Sequence, residues 1–216
     1  MGREQANMDI CVVTDRSESL KEVETVINEA LKDLVPALKE FKDRYGCNVC
    51  FTLVSFANGM TRNVDFVPLE QVDPASLELH FAGQTNPGPA LKYVVEKAMD
   101  RYDRWRSYGE ERFRPIIFFF TDGMPYPDAK YMPEYEEVAK TIRALDADKK
   151  LLVVCGGYGD VNVENLKLLT AFPEDRVVIM SKGREDQLSQ FFTQKLEKTA
   201  SDVVTDPEGQ VKVAFE

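Results

Sequence analysis

The sequence is poor in the residue types that most zinc, redox and hydrolytic sites use. It contains one histidine, His80, and four cysteines, Cys11, Cys47, Cys50 and Cys155. A lone imidazole argues against a Ser-His-Asp hydrolase, and we expect His80 at the surface or in loop packing. Cys47 and Cys50 form the single C-x-x-C at the start of a predicted strand, where residues three apart face opposite ways. We therefore expect four buried, free thiols.

Positive charge and long apolar runs are also scarce. The chain has 27 Lys and Arg against 37 Asp and Glu, which gives a net charge of -10. Such a surface repels phosphate backbones and anionic lipids, so we expect neither nucleic acid nor membranes as partners. No apolar run approaches the roughly 20 residues of a membrane span, and the N-terminus has no stretch long enough for a signal peptide. We therefore expect a cytoplasmic protein.

The length and composition suit one folded domain. The chain has 216 residues, of which 44% are hydrophobic, so it can bury a sizeable α/β core. Nothing in the sequence suggests an internal repeat or a second domain. We predict one domain over residues 1–201, followed by a tail over 202–216 that forms an extra strand or a flexible end.

Apolar runs typical of buried strands alternate with helical patterns along most of the chain. The predicted strands are residues 8–14, 48–57, 61–67, 115–120, 151–155 and 177–180. The Asn58-Gly59 dipeptide predicts a hairpin that makes 61–67 antiparallel to its neighbour. We predict an α/β fold, a doubly wound, mainly parallel six-stranded sheet with one antiparallel edge strand and helices on both faces.

Local signals also predict where some helices begin and end. Ser19 and Glu22 form an S-x-x-E capping box, so Ser19 is expected at the entrance of the first helix. Pro36 is expected to kink that helix or end its first part. Asn86 is predicted to cap the next helix, with Pro87 in its first turn. The last helix is predicted over about 186–199.

Three polar clusters fall at comparable places in this pattern. Residues 15–19 and Thr121-Asp122 each follow the end of a buried strand, where open α/β sheets place their ligand crevice. Thr85 begins a loop that leads into a helix, so it can reach the same crevice. Because these clusters are rich in oxygens and contain one basic residue, Arg16, a cation is the expected partner.

The oxygen types suit a small, hard divalent ion. Mg²⁺ takes about six oxygen ligands at roughly 2.1 Å and usually keeps some water. Ser17, Ser19 and Thr85 can supply neutral hydroxyls, while Asp15 and Asp122 can hold the ion or its waters and balance its charge. The sequence therefore predicts a Mg²⁺ or Mn²⁺ site with a vacant position for a partner's carboxylate.

The order and spacing of these residues resemble the metal-ion-dependent adhesion site of von Willebrand factor A domains. The motif consists of Asp15-x-Ser17-x-Ser19, Thr85, and Asp122 within Thr121-Asp122-Gly123. The resemblance covers about residues 8 to 200 and implies the Rossmann-like fold of that family. It also implies a non-enzymatic module that binds a partner protein through the metal and a partner Asp or Glu. In related A domains the last helix can shift when the site is engaged.

A narrower resemblance is to the bacterial tellurium-resistance TerY group of cytoplasmic A domains. The shared stretches are QTNPGPAL at 84–91, FFFTDGMPYPD at 118–128 and VVCGGYGD at 153–160. Proteins of that group are associated with kinase and phosphatase partners in stress-response or chemical-defence systems. The resemblance therefore implies such a setting, and such a partner, for this chain.

One position departs from the family pattern and leaves alternatives open. Glu18 stands where the family usually has glycine, and Arg16 adds a second charge. Glycine would let the loop bend without strain, whereas Glu18 either turns outward or adds negative charge near the ion. A structural subunit whose metal site has degenerated through Glu18 is therefore one alternative. In another, the five polar residues form only hydrogen-bonded loops and a capped helix entrance.

The remaining alternative is a Mg²⁺-dependent phosphohydrolase on a similar sheet. Asp15 would be its nucleophile and Asp122 a metal ligand. Such enzymes use a second acid two residues after the nucleophile, where this chain has Ser17. None of the three clusters contains a lysine for the phosphoryl oxygens, so this alternative ranks below the binding module.

Overall fold

The computed structural model describes residues 6–109, 112–123 and 132–207. These residues form a six-stranded sheet in the order β3-β2-β1-β4-β5-β6. The strands are β1 (Asn7–Asp15), β2 (Asn48–Phe56), β3 (Met60–Pro68), β4 (Ile116–Thr121), β5 (Leu152–Tyr158) and β6 (Val177–Met180). Neighbouring strands are parallel except β2 and β3, which form the predicted antiparallel pair. The predicted mainly parallel sheet with one antiparallel edge strand is confirmed.

Helices cover both faces of this sheet, as predicted. They are α1 (Glu24–Tyr45), α2 (Gly88–Ser107), α3 (Met132–Ala147), α4 (Val163–Lys167), α5 (Pro173–Arg176), α6 (Glu185–Gln190) and α7 (Leu196–Thr205). One apolar layer packs α1, α6 and α7 against the sheet, and the other contains α2, α3 and α4. None of these described helices combines the length and apolar composition that crossing a bilayer requires.

The first helix begins differently from the capping-box prediction, which is wrong. Ser19 lies inside a 3-10 helix, Glu18–Val23, and α1 begins only at Glu24. The N-cap of the 3-10 helix is Ser17, and its side chain makes no capping hydrogen bond. The hydroxyl of Ser19 instead donates to Asp122, so a tertiary contact takes the group that local sequence had assigned to a cap.

The structure excludes one of the two outcomes predicted for Pro36 and corrects the prediction for Asn86. Pro36 lies inside α1, which continues to Tyr45, so the helix does not end there. Its buried apolar stripe on both sides of the proline outweighs the lost backbone hydrogen bond. Asn86 does not cap α2, because Pro87 occupies the N-cap position. The backbone N–H of Asn86 donates to the carbonyl of Ala57, which holds it against the tip of the β2–β3 hairpin.

The last helical segment that the structure describes is longer than predicted. A π-helical turn, Phe191–Lys195, joins α6 to α7 and makes one continuous helical segment. This segment runs to Thr205, beyond the predicted end at 199 and across the predicted boundary at 201. Buried Ala200 and Val203 explain the extension, because the apolar stripe continues into the core. The rest of the predicted tail, residues 208–216, lies outside the described residues.

The cysteine and histidine expectations are largely confirmed. All four cysteines are free, and Cys11, Cys47 and Cys155 are buried. Cys50 is only partly buried, which departs from the prediction; it lies near the start of β2, between Asp9 of β1 and Pro68 of β3. His80 is exposed, as expected.

Candidate metal centre

The loop after β1 brings three of the predicted residues together. Asp15 is the last residue of β1, and its Oδ1 accepts a 2.8 Å hydrogen bond from the backbone N–H of Ser17. This i to i+2 contact is an Asx turn, which closes the loop tightly without a glycine. As a result, Oγ of Ser17 lies 3.1 Å from Oγ of Ser19, and the two hydroxyls converge.

The loop after β4 supplies the second carboxylate. Because β1 and β4 are parallel neighbours, their carboxyl ends meet at the same sheet edge. Asp122 follows β4, and its Oδ1 accepts a 3.0 Å hydrogen bond from Ser19 Oγ. Thr121, the last residue of β4, donates from Oγ1 to Asp15 Oδ2 at 2.6 Å. A continuous chain of hydrogen bonds therefore connects four of the five predicted residues, in the order Asp15, Ser17, Ser19 and Asp122.

Thr85 reaches the same edge from the loop before α2. A methyl group built on Gly123 would lie 4.0 Å from Thr85 Oγ1, so the threonine stands beside the turn that carries Asp122. Its side chain is partly exposed and makes no hydrogen bond to another described residue. The structure therefore brings all five predicted residues to one sheet edge, with the Thr85 hydroxyl not engaged by any other described side chain.

Arg16 ties the β1 loop to its surroundings, a role that sequence reasoning missed. Its backbone N–H donates to the Phe56 carbonyl at 2.9 Å. Its guanidinium donates to the carbonyl of His80 at 3.2 Å and to Thr61 Oγ1 at 3.3 Å. Arg16 therefore points away from the oxygen cluster and fixes the loop to the β2–β3 hairpin.

The structure accommodates Glu18 without backbone strain. Glu18 lies in the 3-10 helix and is not among the described residues with positive φ. Its backbone N–H donates to the carbonyl of Gly83 at 3.1 Å, and the residue is exposed. The loop therefore does not need glycine at this position, because the Asx turn of Asp15 already makes the bend.

The two carboxyl groups are destabilised as anions by their surroundings. Asp15 is fully buried, and this desolvation raises its pKa to about 7 although Thr121 and Ser17 hydrogen bond to it. Burial also raises the pKa of Asp122, while the hydrogen bond from Ser19 lowers it. No basic side chain forms an ion pair with either carboxyl group among the described residues. A cation placed among these oxygens would stabilise both charged forms.

The oxygen spacing can be compared directly with the requirements of a small divalent ion. Adjacent ligands of an octahedral ion at roughly 2.1 Å lie about 3.0 Å apart. Oγ of Ser19 is 3.1 Å from Oγ of Ser17 and 3.0 Å from Oδ1 of Asp122. The donor set, hydroxyl and carboxylate oxygens without sulfur or imidazole, is also of the hard type. The residues present therefore fit Mg²⁺ or Mn²⁺.

This cluster differs from a site built of strongly coordinating side chains. Within the described ranges, no three His, Cys, Asp or Glu side chains gather so that they could hold a metal ion. The cluster has two carboxylates, and hydroxyls supply the other oxygens. Where the two acids act through bound water, the direct hydroxyl ligands would leave a divalent ion with positive charge, which would favour an additional anionic ligand from outside.

Solved structures with similar folds come from diverse proteins. The chain is 18% identical to proximal thread matrix protein 1 of the mussel byssus, whose structure was solved with a zinc-occupied MIDAS motif. The match covers 89% of this chain and 46% of that chain, with a TM-score of 0.60. It is 14% identical to the pilus adhesin SpaC from Lactobacillus rhamnosus GG. That match covers 94% of this chain and 30% of SpaC, with a TM-score of 0.64. It is 18% identical to the ArnB paralog VWA2 from Sulfolobus acidocaldarius. That match covers 90% of this chain and 45% of VWA2, with a TM-score of 0.53.

These likenesses are to parts of larger proteins, and the chain spans less than half the length of each. At such low identity they establish the fold. A comparison with curated proteins finds no match. The family model of the von Willebrand factor type A domain matches residues 9–194, which is most of the chain. The chain therefore belongs to the von Willebrand factor type A domain family.

Proposed function

We propose that this domain is a protein-binding module that holds one divalent cation, Mg²⁺ or Mn²⁺, and uses it to bind a carboxylate of a partner protein. The observation that carries the proposal is the convergence of Ser17, Ser19 and Asp122 oxygens around the buried carboxyl group of Asp15. Thr85 stands beside them, and its hydroxyl has no hydrogen bond to another residue that the structure describes. Because burial destabilises the charged form of Asp15, a bound cation would stabilise this carboxylate more than it would stabilise an exposed one.

Each residue has a distinct role in this proposal. Ser17, Ser19 and Thr85 would contribute neutral oxygens to the ion. Asp15 and Asp122 would supply negative charge, directly or through water. Ser19 and Thr85 are solvent-accessible, whereas Asp15 is not, so the partner approaches from the side of the hydroxyls. The bound ion supplies a Lewis-acid position for the incoming carboxylate.

The phosphohydrolase alternative finds less support in this geometry, and we propose that the domain is not an enzyme. Asp15 has no exposed surface, and both of its oxygens accept hydrogen bonds, from Ser17 and Thr121. A nucleophile needs an open path to phosphorus, which this carboxyl group lacks. We expect no metal-dependent turnover of p-nitrophenyl phosphate; turnover lost in Asp15→Asn would reverse this ranking.

The proposed biological setting rests on sequence resemblance. The 84–91, 118–128 and 153–160 stretches resemble the TerY group, which favours a cytoplasmic module in a bacterial stress-response or tellurium-resistance system. A kinase or phosphatase of the same system is then the proposed partner. This setting stays a prediction, and residues 124–128 of its second stretch lie outside the described residues.

The metal site is tested by calorimetric titration of Mg²⁺ and Mn²⁺ into chelator-stripped protein. We expect one site in the wild type, loss of binding in Asp15→Ala, and unchanged binding in Asp33→Ala. Asp33 is a suitable control because it is an exposed acid on α1, so its removal changes the net charge equally. No binding by folded wild type would instead favour the structural subunit with a degenerate metal site.

Carboxylate recognition is tested on the Mn²⁺-loaded protein by the relaxation rate of solvent protons. A capped glutamate peptide that binds the ion replaces a coordinated water, so the relaxation enhancement should fall. The matched glutamine peptide should leave it unchanged. Equal effects of the two peptides would contradict recognition through a carboxylate, even if the metal binds.

A further inference from the structure

A second surface of the domain lies on a groove between α2 and the edge strand β3, away from the metal-ligand candidates. The groove has a volume of about 270 Å³. Its α2 wall is a single helical stripe that begins at Tyr93 and ends at Arg104. These two residues lie roughly 8 and 24 Å along the helix from Gly88, where α2 begins near Thr85. The groove is therefore separate from the oxygen cluster.

The floor of the groove is held in one arrangement by contacts on two sides. Arg101 donates from Nε and one terminal nitrogen to the buried carboxylate of Asp9, at 3.1 and 3.2 Å. Its guanidinium lies 4.9 Å from the ring centroid of Phe66. A charged group fixed between a buried acid and an aromatic face keeps its position in the absence of a ligand.

The backbone of Phe66, the residue that carries this ring, has an unusual conformation. Its φ is 49°, in the left-handed region that a bulky residue rarely adopts. The β2–β3 register is irregular nearby, and the N–H of Phe66 donates to Thr52 Oγ1 at 3.0 Å instead of a strand carbonyl. Strained residues at edge irregularities often aim a side chain at a binding site, and here the ring supports Arg101.

The walls of the groove carry two positively charged side chains that form at most weak ion pairs with other described residues. Lys97 is exposed and has no hydrogen bond or ion pair to another described residue. Among the described residues the ion-pair partner of Arg104 is Asp100, at 3.8 Å, and both side chains are about two-thirds exposed. Such a pair contributes little and is readily exchanged. The other acid, Asp65, accepts the hydroxyl of Tyr93 with both oxygens, at 2.7 and 2.8 Å.

We propose that this groove binds an extended acidic segment of a partner protein, with anionic oxygens between Lys97 and Arg104 above Arg101. The domain has ten more acidic than basic residues, so a basic stripe is a local exception that favours an anion. The same net charge disfavours nucleic acid. The volume lies below the roughly 300 Å³ of small-molecule pockets and suits one or two side chains.

The neighbouring edge strand favours an extended backbone for this segment. In the described sheet β3 pairs only with β2, so the backbone groups along its other edge are available to a further strand. A peptide that adds along β3 would place alternate side chains toward the groove. The anionic oxygens can come from Asp and Glu or from a phosphorylated residue, because both present the same chemistry to Lys97 and Arg104.

The test is an amide chemical-shift titration of the ¹⁵N-labelled domain in EDTA at low ionic strength. The probes are capped hexaglutamate, the same peptide with one phosphoserine, and a capped neutral peptide of Gln and Ser. The groove variant is Lys97→Glu with Arg104→Glu. The control is Lys39→Glu with Lys140→Glu, which makes the same charge change at exposed positions on α1 and α3.

We expect saturable shifts around Phe66 and Lys97 with an acidic peptide, and about tenfold weaker binding in the groove variant. The control should stay within about twofold of the wild type. Tighter binding of the phosphoserine peptide identifies phosphorylated segments as the source, and equal binding identifies carboxylates. No acidic-peptide binding, equal binding of the neutral peptide, or equal losses in both variants would overturn the proposal.

This proposal and the metal-dependent function fail independently. The titration in EDTA does not need the ion, so peptide binding there cannot arise from the Asp15 site. The Lys97→Glu, Arg104→Glu variant should bind Mg²⁺ as the wild type does, because neither side chain contacts the oxygen cluster. Loss of Mg²⁺ binding in this variant would show that the groove is not a separate surface and would also overturn the proposal.

Discussion

Thr121 donates a 2.6 Å hydrogen bond from Oγ1 to Oδ2 of Asp15, a residue 106 positions earlier in the chain. The contact joins the ends of two neighbouring parallel strands. The backbone N–H of Gly123 donates to the same hydroxyl at 3.1 Å, and the Gly123 carbonyl also lies close to it as a second acceptor. Since Ser17 occupies the other carboxyl oxygen, two donors fix the orientation of Asp15. Thr121 is therefore a positioning residue for the candidate metal centre.

Replacing Thr121 with valine should weaken metal binding without removing a ligand. Loss of the hydroxyl frees Oδ2 of Asp15, and such outer contacts usually change metal affinity by about 10- to 100-fold. The matched control is Thr170→Val, because Thr170 donates to the buried carboxyl of Asp146 at 2.8 Å, far from the site. It should lower the free energy of unfolding by about 1–3 kcal/mol and leave Mn²⁺ affinity unchanged. Equal Mn²⁺ affinities of the two variants would contradict this role of Thr121.

The metal-free domain should lose stability as the pH rises through neutrality. Burial raises the pKa of Asp15 from 3.8 to about 7, so the folded state binds more protons than the unfolded state between those values. Stability linked to Asp15 is therefore present at low pH and is lost up to about pH 8, by on the order of 4 kcal/mol. Urea unfolding in EDTA at pH 5 and pH 8 measures the part of this loss that falls between those two values, on the order of 3 kcal/mol.

The variant Asp15→Asn isolates that contribution. It removes the ionisable group at nearly constant shape, so the decline in unfolding free energy between pH 5 and pH 8 should become smaller than in the wild type. Asp33→Asn, at an exposed position on α1, should keep the wild-type decline. An unchanged decline in Asp15→Asn would show that Asp15 does not carry the pH dependence.

Restoring the family's usual glycine at position 18 should destabilise the fold slightly. Glu18 has no positive φ to relieve, so Glu18→Gly adds only backbone freedom to the unfolded chain, at a cost of about 0.5–1 kcal/mol. Glu18→Gln removes the charge but keeps the side chain, and should retain wild-type stability. Denaturant unfolding distinguishes the two variants. An increase in stability on Glu18→Gly would reveal strain at this position.

Gly156 should not tolerate even a methyl group. A Cβ at this position would lie 2.5 Å from Cζ of Phe191, the first residue of the π-helical turn. Gly156→Ala should therefore lower the free energy of unfolding by about 1–3 kcal/mol through overpacking. Gly59→Ala is the control, because a methyl group there meets no atom within 4 Å. Thermal unfolding of both variants, and of Gly156→Ala with Phe191→Leu, measures the loss and its partial recovery.

Much of the fold could be predicted because strong signals repeat along the chain. The apolar runs at 8–14 and 115–120 lie within two or fewer residues of β1 and β4, and the 177–180 strand agrees at both ends. The Asn58-Gly59 hairpin joins β2 and β3 as expected. Each of these signals arises within one short segment. The spacing of apolar residues in such a segment shows which side chains are buried, and this pattern indicates a strand or a helix.

The errors arose where a distant residue competed for a local group. Ser19 carries a capping signature but gives its hydroxyl to Asp122. Asn86 has the right residue type for a cap, yet its backbone is held by Ala57 and its Oδ1 is buried without a hydrogen-bond partner among the described residues. The π-helical turn at Phe191–Lys195 has no sequence signal that we can identify.

The sequence by itself determined the strand and helix pattern, the family, and the choice of oxygen-bearing residues for the candidate metal centre. These features depend on residue type, spacing and position after a strand, which are local properties. Tertiary structure decided which oxygens meet, that Asp15 is fully buried, and that Thr121 and Arg16 hold the loop. It also decided the left-handed Phe66 beneath Arg101. The reason is physical: hydrogen bonding and desolvation depend on distances between segments far apart in the chain, and only packing sets those distances.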